Sequence, residues 1–331
     1  MPRSTELLKI LAPCAIMIPL FGCGGSLHSA DEKFYLIATN IKLPYWQAAS
    51  AGMAKGAIQM HVRTEFAGPD DFNPKAEQEA FRKAVAAKPT GILISAADPE
   101  LLKADIDQAI GQGIPVITID SDAPSSKRLL FIGTDNFKAG QMGGNLLVKQ
   151  LKGKGNAVVF SMPQQSNLNE RLRGYQDALS SHPQLKITEV VDIKGDPRIA
   201  FDKTVEILKS GAAKVDAFVC LEAVACPEVA DVLERNKTDK VVVAMDTDPR
   251  TLEWIQKGRI SATIGQKSYT MAYYGLKMVD DLFHNKITPL GNNWAEDSFS
   301  PIPTFVDTGA TLIDKSNVDS FLKARDTAQS Q

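Results

Sequence analysis

Hydrogen-bonding side chains stand at the ends of several apolar, strand-like runs of the sequence. The run "PVITID" ends at Asp120, "VVVAMD" ends at Asp246 and "SATIGQ" ends at Gln266. Carboxylate and amide groups are planar and each can make several hydrogen bonds, so together they suit a ligand rich in hydroxyl groups. The alternative is that such residues only cap helices or shape turns. The set also includes Asn40, which ends "FYLIATN", Glu222, which ends "AFVCLE", and Asn167 and Arg171, which lie in "PQQSNLNERLRG".

Two aromatic side chains follow the first strand-like run closely. Tyr45 and Trp46 are adjacent in a chain with only 7% aromatic residues. A sugar has apolar C–H faces and a polar hydroxyl rim, so aromatic rings can cover its faces while carboxylates and amides bind its rim. The pair therefore predicts a sugar-binding surface. The alternative is that at least one of the two rings packs beneath the following helix as part of the core.

The motifs of common cofactor-dependent and hydrolytic enzymes are missing from the sequence. The first strand-like run lacks the glycines of a dinucleotide-binding loop, and no phosphate-binding loop or nucleophile elbow is present. Nothing singles out a hydrolase that would use Asp120 and Asp246 as paired carboxylates. No Cys/His spacing resembles a zinc site, and we expect no shared site among the scattered histidines. We therefore predict a binding protein rather than an enzyme, with no cofactor and no bound metal. The histidines are His28, His61, His182 and His284.

The pattern of elements predicts how these residues are positioned. From residue 34 onward, short β-branched runs alternate with longer amphipathic segments, which is typical of parallel sheets covered on both faces. About five such units fill 34–134 and about five more fill 136–266, so the fold class is α/β with two domains. Ligands of such sheets bind outside the carboxyl ends of the strands, where the polar and aromatic residues above are expected. The pattern does not indicate which domain the last helix and strand, at 268–309, join.

Length and composition agree with this interpretation. The chain has 331 residues, of which 44% are hydrophobic and 23% charged. That length suits about two domains. The formal net charge is −2 and the pI is about 6.1, so the chain lacks the basic footprint expected of a nucleic-acid-binding protein.

The N-terminal residues have the features of an export signal. Arg3 and Lys9 precede an apolar stretch of about a dozen residues, which is too short to span a bilayer but suits a signal peptide. The stretch ends in "LFGCGG", which resembles the lipobox of bacterial lipoproteins, where the cysteine is acylated and becomes the new N-terminus. This resemblance predicts a lipoprotein signal peptide at 1–23, lipidation of Cys23 and a flexible tether at 24–32. A plain secretory signal cut nearby is the alternative.

Two cysteines are left once Cys14 is assigned to the signal peptide and Cys23 to the lipid anchor. Cys220 and Cys226 would lie in an oxidising compartment and could form a disulfide. The alternative is a pair of buried thiols that act as small hydrophobic side chains.

Several motifs together resemble the periplasmic solute-binding proteins of sugar ABC transporters, of the ribose- and galactose-binding type. The motifs are "LPYW", "GIPVITIDS", "IGTDN", "RLRGYQDAL", "VVVAMD" and "ATIGQ", and the resemblance covers about residues 34–325. It implies the type I periplasmic binding protein fold, with two similar Rossmann-like lobes of parallel sheets, joined by three crossing segments and closing on one ligand. The crossings are expected near 134–136, 265–267 and 298–302, with an N-terminal lobe of 33–134 plus 267–299 and a C-terminal lobe of 135–266 plus 300–331.

The resemblance also implies roles for individual residues. Tyr45 and Trp46 match the aromatic pair of the first lobe, and Asp120 matches the carboxylate that binds sugar hydroxyls. Arg171 matches a ligand-facing arginine, and Asp246 and Gln266 match polar ligand contacts of the second lobe and hinge. With Asn40, Ser121, Asn167 and Glu222 these residues form the predicted ligand-binding set.

Four positions depart from the ribose-binding pattern. Ser121 replaces an arginine, Leu221 replaces a common asparagine, and Leu43 replaces a polar residue. Gly195 stands near the place where an aromatic ring often completes the sugar sandwich. The pattern therefore favours a different or larger polyol, or a sugar derivative, as much as ribose, and it does not favour a strongly anionic ligand.

The predicted function is capture of a sugar or related polyol between the lobes and delivery to an ABC import permease. The protein is expected to be a periplasmic monomer that contacts the membrane only through its lipid anchor. The alternative is a sugar-sensing module for a chemoreceptor or sensor kinase. Sugar-responsive repressors share the fold but need a DNA-binding region ahead of it. In this chain residues 1–33 are instead predicted to be a signal and tether, which argues against a repressor.

Overall fold

Strands and helices alternate along the part of the chain that the computed structural model describes, which is residues 28–211 and 214–329. The predicted signal peptide and Cys23 lie outside the described residues. The strands are β1 (Lys33–Ile37), β2 (Arg63–Ala67), β3 (Gly91–Ile94), β4 (Val116–Ile119), β5 (Phe131–Gly133), β6 (Lys154–Ser161), β7 (Gln184–Asp192), β8 (Ala217–Cys220), β9 (Val241–Met245), β10 (Ala262–Gly265), β11 (Phe305–Asp307) and β12 (Thr311–Asp314). The helices are α1 (Pro44–Met60), α2 (Pro74–Ala86), α3 (Pro99–Gly111), α4 (Asn136–Leu151), α5 (Ser166–Leu179), α6 (Pro197–Gly211), α7 (Ala225–Arg235), α8 (Pro249–Gln256), α9 (Ser268–His284) and α10 (Val318–Gln329).

The strands form two six-stranded sheets, one in each lobe. The first has the order β11-β5-β4-β3-β1-β2 and is parallel throughout. The second has the order β12-β10-β9-β8-β6-β7 and is parallel except that β12 runs antiparallel to β10. Each sheet has its own buried hydrophobic cluster. The predicted fold class, two similar α/β lobes with largely parallel sheets, is confirmed.

The chain passes between the lobes three times. The first two crossings lie between β5 and α4 and between β10 and α9. The third lies at 308–310, between β11 and β12, rather than near 298–302 as the sequence led us to expect. The reason is that β11 still pairs with β5 in the first sheet, with Phe305 opposite Phe131. The segment 300–307 therefore belongs to the first lobe.

Glycines let the helices beside the crossings approach closely. A Cβ atom at Gly140 of α4 would lie 2.1 Å from the Arg171 carbonyl oxygen of α5, and one at Gly174 of α5 would lie 2.1 Å from the Phe137 carbonyl oxygen. In the first lobe, a Cβ atom at Gly52 of α1 would lie 2.1 Å from the Tyr269 carbonyl oxygen of α9. These contacts leave no room for a side chain. They hold α5, and with it Arg171, against α4.

The N-terminal residues of the described chain contact the first lobe. The Arg63 amide donates to the Glu32 carbonyl oxygen at 2.9 Å, and His28 Nε2 lies 3.0 Å from Asp280 Oδ2 on α9. Residues 28–32, expected to belong to a flexible tether, are therefore held at the lobe surface. The ring centroids of His28 and His284 are 5.3 Å apart. Folding thus brings together two of the scattered histidines from positions 256 residues apart.

No helix within the described residues is long and apolar enough to cross a membrane.

A disulfide joins Cys220 at the end of β8 to Cys226 in α7. The sequence left this pairing open. The bridge closes a loop of a few residues, and Leu221 and Glu222 lie inside it.

We expect the double variant Cys220→Ala/Cys226→Ala to lose about 2 kcal/mol of unfolding free energy, because the unfolded chain regains the freedom of the closed loop. Urea denaturation of wild type and variant under non-reducing conditions measures the difference. Equal stability, together with free thiols at both positions in the unfolded wild type, would contradict the bridge.

Candidate functional site

A cleft with about 590 Å³ of empty space, including the open solvent at its mouth, lies between the lobes at the carboxyl ends of both sheets. This is the place where open α/β sheets bind ligands. Nine of the ten predicted ligand-binding residues line it: Asn40, Tyr45, Trp46, Asp120, Asn167, Arg171, Glu222, Asp246 and Gln266.

Ser121 is the predicted residue that does not line the cleft. It follows a tight turn in which its amide donates to the Ile119 carbonyl oxygen at 2.7 Å. Its hydroxyl is buried and has no hydrogen-bond partner among the described residues. The turn at Asp120 thus separates two side chains that are adjacent in the sequence.

Asp120 is held by three neighbours around the cleft. Its Oδ1 accepts from the Tyr45 hydroxyl at 2.7 Å, and its Oδ2 accepts from the Ser95 hydroxyl at 3.4 Å. The Asn167 amide, from the second lobe, donates to the same Oδ2 at 3.4 Å. Burial, followed by the negative charges of Asp120 and Asp246, raises the pKa of Tyr45, so its phenol stays a hydrogen-bond donor. Asp120 therefore links the first lobe to the second.

Asp246 occupies the corresponding place in the second lobe. Its Oδ1 accepts from the Gln266 side chain at 2.9 Å. Its amide donates to the Ile264 carbonyl oxygen of the neighbouring strand, just as the Asp120 amide donates to the Ile132 carbonyl oxygen. The Gln266 side-chain oxygen is buried without a hydrogen-bond partner in the described chain, so it offers an acceptor to a ligand.

Both aspartates adopt the left-handed backbone conformation, with φ of 67° for Asp120 and 69° for Asp246. Aspartate tolerates this region better than most residues, but it is still sparsely populated. Strained residues of this kind persist where the surrounding structure holds them, commonly at functional sites. The same conformation at the end of β4 and of β9 aims one carboxylate from each lobe into the cleft.

Arg171 is the cation of the cleft and is 2% exposed. Its Nε donates to Asn136 Oδ1 at 2.8 Å, and its Nη1 donates to the Leu221 carbonyl oxygen at 2.6 Å. These contacts fix the guanidinium plane. Nη2 is buried and, among the described residues, has no hydrogen-bond partner. A ligand oxygen in the cleft would satisfy this donor, since a buried unpaired donor is costly.

Burial raises the pKa values of the three carboxyl groups in the cleft. The pKa of Glu222 rises to about 7 and that of Asp246 to about 6, and that of Asp120 is also raised. The positive charge of Arg171 opposes each of these increases. Three carboxyl groups around one guanidinium are consistent with the prediction that the ligand is not strongly anionic, which stays a prediction.

Glu222 has the helix-capping role that was the alternative expectation for residues at strand ends. Its carboxylate accepts from the amides of Val224 at 2.5 Å and Ala225 at 3.0 Å, at the start of α7. The side chain thus satisfies amides that have no partner within the helix. Glu222 lines the cleft, but both of its carboxylate oxygens already accept hydrogen bonds from amides within the disulfide loop.

The raised pKa of Glu222 predicts how stability depends on pH. A carboxyl group with a higher pKa in the folded chain stabilises the fold below its usual value of 4.5, and this contribution is lost as pH rises through about 7. Between pH 5 and 8 we expect the unfolding free energy of Glu222→Gln to fall by on the order of 2 kcal/mol less than that of wild type. Urea denaturation at several pH values measures the slope.

The matched control for this measurement is Glu234→Gln, which changes an exposed glutamate of α7 paired with Arg259. It should keep the wild-type slope. Asp246 titrates in the same pH range, so Glu222→Gln should reduce the slope without removing it. Identical slopes in wild type and Glu222→Gln would contradict the assignment.

Trp46 belongs both to the core and to the cleft. It is 2% exposed, and its indole N–H donates to the Thr39 hydroxyl at 3.0 Å. Its ring packs edge-to-face on Tyr45, with centroids 5.2 Å apart. The core interpretation is therefore confirmed for this residue, which also lines the cleft, and its contact with a ligand stays a prediction.

Phe72 is the aromatic residue of the cleft that sequence reasoning missed. It lies between β2 and α2 in the first lobe, yet it packs against the hydrophobic cluster of the second lobe. A Cβ atom at Gly195 would lie 2.4 Å from Phe72 Cβ. The glycine at the expected aromatic position thus makes room for a ring from the opposite lobe. Thr39, Met162 and Gln165 also line the cleft and were not predicted.

The fold and the cleft define a two-lobed α/β binding protein in which groups of both lobes surround one small polar site. A family model described as a periplasmic binding protein domain matches residues 34–287. The chain belongs to this family.

Individual relatives agree with the family assignment. The chain is similar to the ribose import binding protein of Bacillus subtilis (strain 168), with 21% identity over 291 residues that cover 84% of this chain and 91% of that protein. It is similar in structure to AraP, an arabinose binding protein from Geobacillus stearothermophilus, with 30% identity and a TM-score of 0.74 over 88% of this chain and 99% of that one. It also resembles a chain of the XylFII-LytSN complex, with 29% identity and a TM-score of 0.76 over 86% and 98% of the two chains.

Proposed function

We propose that this chain is an exported binding protein that captures a neutral sugar or related polyol between its lobes and delivers it to an ABC import permease. The observation that carries the proposal is the pairing of unsatisfied hydrogen-bonding groups with aromatic rings in one cleft. Arg171 Nη2 and the Gln266 side-chain oxygen have no protein partner among the described residues. Tyr45, Trp46 and Phe72 supply apolar surface beside them.

The ligand would act by stabilising the closed arrangement of the lobes. It would touch Asp120 and Trp46 from the first lobe and Arg171 and Asp246 from the second. A ligand shifts such an equilibrium only through contacts that differ between the two states, and contacts with both lobes exist only when the cleft is closed. The permease would then recognise the closed form.

A thermal-shift screen tests the ligand class. The panel comprises pentoses, hexoses, polyols, sugar acids and disaccharides. A ligand present at about 100 times its Kd should add about 2.7 kcal/mol of stability, which is a shift of several degrees. We expect a hit among neutral sugars or polyols and none among sugar acids. A stable, well-folded sample that responds to no member of the panel would overturn the proposed ligand class.

A sensing role is the second candidate function. It is favoured by the similarity to a chain of the XylFII-LytSN complex, in which a protein of this fold is bound to a second protein. Uptake of the labelled ligand by cells that lack the chain separates the two roles. Loss of uptake supports transport, whereas normal uptake with loss of a ligand-induced response supports sensing.

Lipid anchoring at Cys23, a periplasmic location and a monomeric state are parts of the same proposal. They are supported by the lipobox-like "LFGCGG" and by the family to which the chain belongs. Mass spectrometry of the mature N-terminus checks the anchor, with Cys23→Ser as the variant that should lose the acyl groups. Light scattering in detergent checks the monomer.

A further inference from the structure

A second cluster of polar side chains lies in the first lobe, apart from the cleft residues. It consists of His28, Glu32, Asp280 and His284, here called the His–carboxylate cluster. One potential ligand atom from each of the four residues lies within 4.8 Å of the other three. The cluster forms where residues 28–32 cross the C-terminal end of α9. Each segment contributes one histidine and one carboxylate, four positions apart.

Two of the separations between these atoms are close to those between ligands of a tetrahedral metal site. His28 Nε2 lies 3.0 Å from Asp280 Oδ2, and His284 Nε2 lies 3.3 Å from Glu32 Oε1. Zinc binds nitrogen and oxygen ligands at about 2.0–2.2 Å, so two ligands of one tetrahedral ion are about 3.3–3.6 Å apart. Both contacts are close to that separation. Only small side-chain movements would bring all four atoms around one ion.

The orientation of His284 leaves one ring nitrogen facing the cluster. Its Nδ1 lies 3.1 Å from the backbone carbonyl oxygen of Asp280, which can only accept, so this nitrogen carries the hydrogen. In the neutral ring, Nε2 then presents a lone pair toward Glu32 Oε1. Two acceptors that face each other require a cation between them, either a proton or a metal ion. Metal-binding histidines commonly donate their second ring N–H to a carbonyl group in this way.

Two carboxylate oxygens of the cluster have unused hydrogen-bonding capacity. Asp280 is 8% exposed, and its buried Oδ1 lies 3.4 Å from His284 Nδ1 but accepts no hydrogen bond among the described residues. Glu32 Oε2 is likewise buried and, among the described residues, has no hydrogen-bond partner. Burying a carboxylate oxygen that accepts no hydrogen bond is costly, and a bound cation would reduce that cost.

We propose that the His–carboxylate cluster binds one divalent transition-metal ion, with zinc as the best match to its ligands. Imidazole favours zinc, copper and nickel over magnesium and calcium, and two imidazoles with two carboxylates suit a four-coordinate zinc ion. The ion would tie residues 28–32 to α9. Only residues 24–27 separate this point from Cys23. The bound ion would therefore fix the place at which the N-terminal segment joins the first lobe.

Zinc titration of the full-length chain tests the proposal. The protein is purified in detergent with a tag free of histidine, stripped with a chelator and titrated against a chromophoric zinc indicator. We expect one zinc ion per chain. His28→Ala and His284→Ala should each raise the zinc Kd by at least about 10- to 100-fold, the range reported for loss of even an outer-shell partner.

The matched control is His61→Asn, which removes an exposed histidine at the end of α1. His61 has φ of 58°, and asparagine tolerates that left-handed conformation. This variant should bind zinc like wild type. Asp280→Asn serves as a second variant that preserves side-chain shape if a histidine variant fails to fold. Absence of zinc binding by wild type, or equal binding by wild type and the cluster variants, would overturn the site.

Discussion

Replacing Arg171 by methionine should raise the Kd for the ligand by about 100-fold or more. Methionine keeps much of the side-chain volume but removes the donor at Nη2, which is buried in the cleft without a partner among the described residues. The substitution also removes the hydrogen bonds to the Leu221 carbonyl oxygen and to Asn136 Oδ1. In addition, it removes the positive charge that lowers the pKa values of Asp246 and Glu222. Loss of one partner from a buried charged network costs about 2–5 kcal/mol of binding free energy.

Isothermal titration with the ligand found in the screen measures this change. Arg173→Met is the matched control, because Arg173 lies on the same helix but is exposed and paired with Glu170. The control should bind like wild type. Arg171→Lys keeps the charge but loses the planar fork, so it should recover only part of the affinity. Wild-type affinity in Arg171→Met would remove Arg171 from the ligand site.

Replacing Trp46 by alanine should weaken both folding and binding. Because the ring is almost fully buried in the first-lobe core, we expect a loss of about 3–5 kcal/mol of unfolding free energy. For a lobe of this size, the melting temperature should fall by roughly 6–20 °C. Because the same ring lines the cleft, the Kd should rise about 30- to 1000-fold, which corresponds to about 2–4 kcal/mol.

Two further variants separate these effects. Trp46→Phe keeps a ring beside the ligand and loses the hydrogen bond to Thr39, so it should lose stability but retain most of the affinity. Trp254→Ala removes a half-buried tryptophan of α8 and should leave the Kd unchanged. Thermal unfolding and titration are compared on the same samples at a temperature where every variant is folded. Unchanged affinity in folded Trp46→Ala would make the ring purely structural.

Local patterns in the sequence determined the fold class and most of the cleft. Apolar β-branched runs between amphipathic helices require parallel sheets covered on both faces. Parallel strands bring their carboxyl ends to one edge, so the residues that end them must lie near one another. Within each sheet this places the strand-ending residues at one edge, with Asp120 in the first lobe and Asp246 and Gln266 in the second. That the two edges face one another across a single cleft was implied by the family resemblance, and the structure has all three residues lining that cleft.

The contacts that assign roles to individual residues were decided by tertiary structure. Two roles are local exceptions: Glu222 caps α7 and Ser121 turns away from the cleft because of the backbone geometry of a few neighbouring residues, which the strand pattern does not describe. Phe72 reaches Gly195 only because the two lobes face each other, and no local pattern records that approach.

Contacts between segments distant in the chain also determined features that hydrophobic periodicity does not encode. The position of the third crossing depends on whether three residues, Phe305–Asp307, pair with β5, and a strand that short has too weak a pattern to assign to a lobe. The His–carboxylate cluster depends on 28–32 lying against α9. The sequence by itself thus determined which residues share the edge of a sheet, since that follows from local patterns and strand direction. Tertiary structure decided what each of them contacts, since contacts depend on the packing of segments distant in the chain.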